Sequence, residues 1–116
     1  MSTTALSSEY MILIRQPNDG PGPGPEELKK IMERFALWME GLAAKGMVVS
    51  TSGLDTTGVV LRGSSVTDGP FAEAKEIVGG YVHIQAESFE QAVEAARTCP
   101  ELDYRLSLEV RPFKPR

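Results

Sequence analysis

Cysteine, histidine and tryptophan are almost missing from this chain of 116 residues. It has one of each, and the cysteine and histidine are Cys99 and His83. A lone cysteine cannot close a disulfide within the chain, which favours a reducing compartment, so we expect a cytoplasmic protein. One histidine and one cysteine, with no clustered ligand spacing, do not make a zinc-type centre, and we predict no metal site.

Positive charge and long apolar runs are also scarce. The 12 Lys and Arg residues are outnumbered by 16 Asp and Glu, which gives a formal net charge of −4 at pH 7. A nucleic-acid-binding protein would need a basic face, so no nucleic-acid partner is expected. No apolar run approaches the roughly 20 residues of a membrane span, which predicts no membrane partner. Phosphate-loop, dinucleotide-binding and Ser/His/Asp patterns are missing too, and no cofactor is expected.

The residues that are present fit one small globular domain. With 41% hydrophobic and 24% charged residues, a chain of 116 residues can form a single core without disulfides or metals. Residues 1–8 lack the charged start and apolar core of a signal peptide, and residues 1–9 are predicted to form a flexible tail. Residues 10–116 are predicted to form the single domain.

Hydrophobic periodicity predicts a strand, a helix, three more strands, a second helix and a last strand. Apolar or alternating runs indicate strands, and apolar residues at i, i+3 and i+4 indicate helices. Ser88 followed by Gln91 is a capping-box pattern that starts the second helix, and Pro100 ends it. The predicted strands are 10–15, 47–54, 59–62, 81–86 and 106–111, and the first helix is Pro25–Ala44.

This order is that of a ferredoxin-like split βαβ domain, an α+β fold with an antiparallel sheet. The second and third strands are predicted to pair with each other as an inserted hairpin. Both helices should cover one face of the sheet. The other face is either solvated or packed against a second copy of the chain. Its predicted side chains are Tyr81, His83, Gln85, Ser107, Glu109 and Arg111.

The loop before the first helix has two possible roles, and the helix itself is predicted to pack in the core. Loop 18–25 contains three Gly-Pro steps, which forbid regular structure, and it is either a flexible lid or a plain connector. Gly46 is predicted to end the helix in the left-handed conformation. The helix carries an apolar stripe that is predicted to be core rather than a cofactor site. The stripe consists of Leu28, Ile31, Met32, Phe35, Trp38, Met39 and Leu42.

The most distinctive stretch is 66–82, which reads VTDGPFAEAKEIVGGYV. Asp68 and Gly69 are strong turn formers, and the proline that follows fixes its own φ. The pair Gly79 and Gly80 lets the backbone bend or approach another group closely. The stretch is therefore either a structural corner with a solvated charge run or the rim of a ligand pocket.

The same stretch resembles the signature of the YCII-related superfamily, in its DGPF-type branch. EYMILI near the start, SGL at 52–54 and SLEVRP at 107–112 follow the family's order. The resemblance implies a dimeric α/β barrel, in which two sheets face each other and each subunit has a cleft. Two positions depart from the family. Ala74 replaces a usual threonine, and Phe35 stands about where YCII-like members carry the helix-one histidine of a proposed His–Asp catalytic couple.

Few side chains are candidates for chemistry. His83 could act as a general base or bind an anion, or it could be a hydrogen-bonded structural residue. Asp68 could accept a ligand hydrogen bond or a proton, or it could simply form the turn. These two are the candidate catalytic residues. Charged groups near the corner and the strand ends could bind a small anionic or aromatic ligand. They are Glu73, Lys75, Arg62 and Arg111.

Two functions from different classes stay open. The first is a homodimeric small-molecule-binding or accessory protein with a polar cleft in each subunit. The resemblance also implies a functional link to extracytoplasmic-function sigma factors, because members of the DGPF branch occur beside them or fused to them. The second is a small cofactor-independent enzyme, a lyase or a protein similar to the chlorinated-hydroquinone dehydrochlorinase among the YCII-like proteins. Such an enzyme would use acid–base chemistry on an aromatic or carboxylate substrate, and the missing helix-one histidine weakens this alternative.

Overall fold

The computed structural model describes residues 8–18, 22–69, 75–102 and 106–115. Six strands and two helices are defined within these ranges. In chain order they are β1 Ser8–Pro17, α1 Pro25–Ala44, β2 Val48–Gly53, β3 Gly58–Arg62, β4 Ser65–Gly69, β5 Glu76–Ala86, α2 Phe89–Arg97 and β6 Ser107–Pro112. Neither helix is both long and apolar enough to span a membrane.

Local chemistry sets the ends of both helices. Pro25 occupies the first helical position of α1, where a missing N–H costs no hydrogen bond. Gly46 follows α1 with φ at +72°, which confirms the predicted left-handed end. At α2, the Ser88 hydroxyl accepts a hydrogen bond from the Gln91 N–H at 3.0 Å. Gln91 Oε1 accepts one from the Glu87 N–H at 2.7 Å, and the predicted capping start is confirmed.

Four strands form one antiparallel sheet in the order β2-β5-β1-β6. In this order β1 and β2 are parallel and joined through α1, while β5 and β6 are parallel and joined through α2. That is the ferredoxin-like split βαβ arrangement, so the predicted fold class is confirmed. The core lies where both helices meet the sheet. Its buried members are Tyr10, Ile12, Trp38, Leu42, Met47, Val82, Ile84, Ala86, Ala92, Ala95, Ala96 and Cys99.

The predicted pairing of the second and third strands is wrong. β3 pairs with β4 in a separate two-stranded sheet, whereas β2 pairs with β5 at the edge of the main sheet. Gly63, with φ at +60°, takes the first central position of a two-residue β3–β4 turn, as a type II′ turn requires. Before β3, Asp55 Oδ1 accepts a hydrogen bond from the Thr57 N–H at 3.1 Å. This turn redirects the chain from one sheet to the other instead of closing a hairpin.

The structure describes part of the distinctive stretch and part of the predicted tail. Asp68 and Gly69 end β4, and residues 70–74, including Glu73 and Ala74, lie outside the described residues. β5 then begins at Glu76, earlier than predicted. β1 includes residues 8 and 9 of the predicted tail, and residues 1–7 lie outside the described residues.

The two adjacent glycines lie inside β5 and form a β-bulge with β1. Ile14 pairs with Gly80 and Arg15 pairs with Val78, which leaves Gly79 as the extra residue. A bulge of this kind bends the strand and increases its local twist. The bulge therefore lies near the C-terminal end of β1 and near the start of β5.

Candidate functional site

Helix α1 packs on the sheet along only part of its length. Trp38 and Leu42 are buried, whereas Leu28 and Met32 of the same apolar stripe are 45% and 63% exposed. Phe35, near the middle, is partly buried against the core. The C-terminal half of α1 is thus core, as predicted, but the N-terminal half stands away from the sheet. An apolar surface left open in this way is a candidate binding site.

The space between α1 and the sheet is a groove of about 700 Å³. Small-molecule sites in proteins are typically about 300–1,000 Å³, so the groove has the size of a ligand site. Gly22 and Pro23 of loop 18–25 also line it. The walls of this groove are mostly apolar, and the predicted polar cleft stays a prediction. The apolar side chains of the groove include Ile14, Leu28, Ile31, Met32, Phe35, Trp38, Met39 and Leu106.

Trp38 and Phe35 form a rigid aromatic part of the helix wall. Their ring centroids are 5.8 Å apart in an edge-to-face arrangement. The Trp38 Nε1–H donates hydrogen bonds to the Ala95 main-chain oxygen at 3.1 Å and to Thr98 Oγ1 at 2.9 Å. These bonds fix the indole against α2, because a buried indole N–H needs a partner. A flat ring entering the groove would therefore meet a preformed aromatic surface.

The floor of the groove passes over the β-bulge. Gly79 and Gly80 both line it, together with Ser52 and Gly53 at the end of β2. A Cβ atom on Gly80 would lie 3.0 Å from the Ser52 carbonyl oxygen, a main-chain atom that cannot move aside easily. The glycine is thus required for close approach of two strands, and the backbone itself forms this part of the floor.

A half-buried ion pair lies at another part of the groove wall. Glu101, which lines the groove, is 3% exposed, and its carboxylate accepts a hydrogen bond from Arg34 of α1. A buried carboxylate is costly unless it is paired, so Arg34 stabilises it. Glu101 also lines a second, charged cleft of about 530 Å³, together with Arg34. The pair joins α1 to the segment after α2, next to both spaces.

His83 lies on the opposite face of the sheet from the groove. Its Nε2 is 2.6 Å from Glu9 Oε1, and its ring stacks on Phe113 with centroids 4.6 Å apart. Met11 pairs with His83 on one side and with Arg111 on the other, so these residues share the open face of the sheet. The structure thus gives His83 a carboxylate partner, and its catalytic role stays a prediction.

The other candidates from the sequence are dispersed. Asp68 and Arg62 are exposed on the β3–β4 sheet, and Lys75 is exposed just before β5. Arg111 Nε lies 3.9 Å from Glu109 Oε2 on the open face. Asp68 and His83 are therefore on different sheets, and none of these residues lines the groove. Glu73 lies outside the described residues, and the ligand-binding role of all four charged candidates stays a prediction.

The open face also carries an ion-pair network that sequence reasoning missed. Arg15 Nη1 is 3.3 Å from Glu109 Oε1, and Arg15 Nε is 3.5 Å from Glu76 Oε1. The Ser107 hydroxyl donates to Glu76 at 3.0 Å. Alternation along β6 did predict that Ser107 and Glu109 share a face, but Glu76 lay outside the predicted strand. Within the described ranges, no three His, Cys, Asp or Glu side chains are grouped to hold a metal ion.

Sequence reasoning also missed the polar groups of the groove. Glu101 follows a helix-ending proline in a turn, where a charged residue normally faces water, and no local signal predicts its burial. Gln16 lay just beyond the predicted first strand. The glycine pair was the one usable signal, because it predicted a close approach of the backbone to another group.

The fold and the groove together define the class of this protein. It is an α+β domain of split βαβ topology with a ligand-sized groove between a helix and the sheet. The chain belongs to the YCII-related domain family, whose model matches residues 8–114.

Among solved structures, the chain is similar to 5-chloro-2-hydroxyhydroquinone dehydrochlorinase (TftG) from Burkholderia phenoliruptrix AC1100, in complex with 2,5-dihydroxybenzoquinone. The TM-score is 0.51 at 15% identity, over 93% of this chain and 95% of that chain. The de novo designed protein Foldit4 matches with a TM-score of 0.39 at 17% identity, over 95% of this chain and 99% of that one. At these identities the first likeness shows the fold alone. No curated protein sequence matches this chain.

Proposed function

We propose that the chain is a homodimeric small-molecule-binding protein and that its ligand site is the groove between α1 and the sheet. The observation that carries the proposal is the groove of about 700 Å³ beneath the exposed half of α1. Burial of Leu28 and Met32 by a ligand would remove apolar surface from water, which is the main driving force for such binding. An accessory role beside an extracytoplasmic-function sigma factor is part of this proposal.

The groove favours a flat aromatic ligand. Phe35 and Trp38 present ring surfaces, and the backbone of Gly79 and Gly80 forms a floor without side chains. TftG, which has the same fold, was solved with a flat quinone ring, 2,5-dihydroxybenzoquinone. Aromatic rings pair favourably in edge-to-face or offset arrangements, which this wall offers.

Binding without turnover fits the groove better than acid–base catalysis. Among the described residues that line it, Glu101 is the one ionisable side chain, and Arg34 already holds its carboxylate. Phe35, which stands about where YCII-like members carry a histidine, lines the groove with an apolar ring. A general base must reach the proton that it removes, and the described lining offers no general base that is free of a partner.

The open face of the sheet supports the homodimer. Met11, Leu13 and Tyr81 are half-buried there, between the His83–Glu9 pair and the Arg15 network. A second copy facing this sheet would cover the apolar side chains and leave the groove, on the other face, accessible. Native mass spectrometry tests this directly. A dimer mass is expected, and a monomer at all concentrations would contradict the assembly.

The single tryptophan provides the binding experiment. Trp38 lines the groove, so its fluorescence should change when 2-naphthol binds, and calorimetry would give the same dissociation constant. Ala36→Leu places a larger side chain in the groove and should weaken binding by about tenfold or more. Ala44→Leu, at an exposed α1 position outside the lining, is the matched control and should bind normally. Equal affinities of the two variants would contradict the proposal.

A direct assay addresses the enzymatic alternative. The protein is incubated with 5-chloro-2-hydroxyhydroquinone, and chloride is measured against a protein-free control. We expect no release above the control, because the described groove lining offers no free acid or base. Release that Ala36→Leu abolishes would instead make the groove an active site.

A further inference from the structure

Gln16, near the end of β1, borders two cavities. It lines the groove under α1 and also a smaller cavity of about 110 Å³ at the base of the β3–β4 sheet. That smaller cavity is bounded by Leu54, Val59 and Ile77, among others. Gly79 lines both spaces as well. Gln16 therefore lies beside both cavities, at the point where the β-bulge forms the floor of the groove.

The position of the Gln16 amide depends on the missing side chain of Gly79. A Cβ atom built on Gly79 would lie 2.2 Å from Gln16 Oε1 and 2.7 Å from its Cδ. The amide thus occupies the space that a side chain at residue 79 would fill. Because Gly79 is the extra residue of the bulge, it is not constrained by pairing with β1 and can lie under the amide.

A side-chain amide can recognise a neutral polar substituent of a ligand through hydrogen bonds. It offers both hydrogen-bond donors and an acceptor, and it carries no charge. Among the described residues lining the groove there is no lysine or arginine, so a ligand carboxylate would be desolvated there without a cation. A hydroxyl or carbonyl group on a ring could exchange its water hydrogen bonds for bonds to the amide.

We propose that Gln16, whose amide fills the space left by the missing side chain of Gly79, is the specificity-determining residue of the groove. It selects ring compounds that carry a hydroxyl or carbonyl group over plain hydrocarbons, while the absence of lysine and arginine from the described lining disfavours carboxylates. This inference rests on the proposed function, because it assigns the ligand class of the same groove.

The test compares three bicyclic probes, which are naphthalene, 2-naphthol and 2-naphthoate. Calorimetry measures their dissociation constants with the wild type, and 2-naphthoate is expected to bind most weakly. Gln16→Ala should lower the preference for 2-naphthol over naphthalene by about three- to tenfold, the size of one neutral hydrogen bond. Naphthalene itself should bind Gln16→Ala at least as well, because the apolar walls are unchanged.

A double-mutant cycle tests the link to Gly79. Gly79→Ala should displace the flexible Gln16 side chain and lower the same preference, whereas in the Gln16→Ala background it should have no further effect. Gly41→Ala, where an added Cβ meets nothing within 4 Å, is the control. Thermal unfolding of each variant confirms that the fold is intact.

The outcomes separate the two proposals. If none of the three probes binds the wild type, the proposed function fails and this inference fails with it. If the probes bind but Gln16→Ala leaves their ratio unchanged, the groove is a binding site and the role of Gln16 is wrong. A Gly79→Ala variant that keeps the wild-type ratio would overturn the positioning by Gly79.

Discussion

The indole N–H of Trp38 donates a hydrogen bond to the main-chain oxygen of Ala95, and this bond ties α1 to α2. It marks the point along α1 where packing changes. Within the apolar stripe, Leu42 after it is buried, while Met32 before it is exposed. One helix therefore serves as core at one end and as the wall of a groove at the other.

A change at Trp38 should affect the stability of the fold, whereas a change at Met32 should affect ligand binding. Trp38→Phe loses two hydrogen bonds and part of a buried ring, so the free energy of unfolding should fall by about 2 kcal/mol. Met32→Ala should change it by less than about 0.5 kcal/mol, because the side chain is exposed. Met32→Ala should instead weaken 2-naphthol binding by about threefold or more. Urea unfolding followed by circular dichroism, together with calorimetry, measures both effects. A strongly destabilised Met32→Ala would show that the N-terminal half of α1 is core after all.

Gly80→Ala should destabilise the fold through the backbone. The new Cβ would lie 3.0 Å from the Ser52 carbonyl oxygen, so β2 and β5 must separate slightly, at a cost of about 1–3 kcal/mol. Gly53→Ala is the control on the facing strand, because its nearest contact would be 3.9 Å away. Thermal denaturation of both variants gives the comparison. Equal midpoints would mean that the bulge tolerates a side chain at residue 80.

Removal of Arg34 should leave a buried carboxylate without its partner. Arg34→Met is expected to lower the free energy of unfolding by about 2 kcal/mol, less than the cost in a fully buried pair, because the arginine side chain is 46% exposed. The double variant Arg34→Met with Glu101→Leu should recover most of that loss, since no buried charge then remains. Chemical denaturation at neutral pH measures both. A double variant less stable than Arg34→Met alone would contradict this account.

Cys99 should be unreactive in the native protein. Burial raises the pKa of its thiol above the ordinary value of 9.0, so little thiolate forms near neutral pH. A raised pKa means that the folded state holds the proton more tightly than the unfolded state. The associated stability is present below pH 9.0 and is lost as the pH rises through the higher native value. Dithionitrobenzoate should therefore react slowly with the native protein and rapidly in denaturant, and rapid native labelling would contradict the burial.

Local sequence determined the helices and most of the strands. Pro25, Gly46 and the Ser88–Gln91 cap act within a few residues of themselves, so their consequences can be predicted without the rest of the chain. Alternation along β6 likewise predicted which side chains share a face. The element order then limited the fold to the split βαβ class, because few arrangements connect such elements without crossing.

Strand partners and the groove were decided by tertiary structure. Segment 58–62 pairs with the strand after it because a tight turn at Gly63 joins the two. It does not pair with β2, the strand before it, because β2 pairs with β5 instead. The stripe on α1 has the same pattern whether it packs or stands away from the sheet. Periodicity shows which face of a helix is apolar, but it carries no information on the distance between that face and the sheet. That distance determines whether a groove forms between α1 and the sheet.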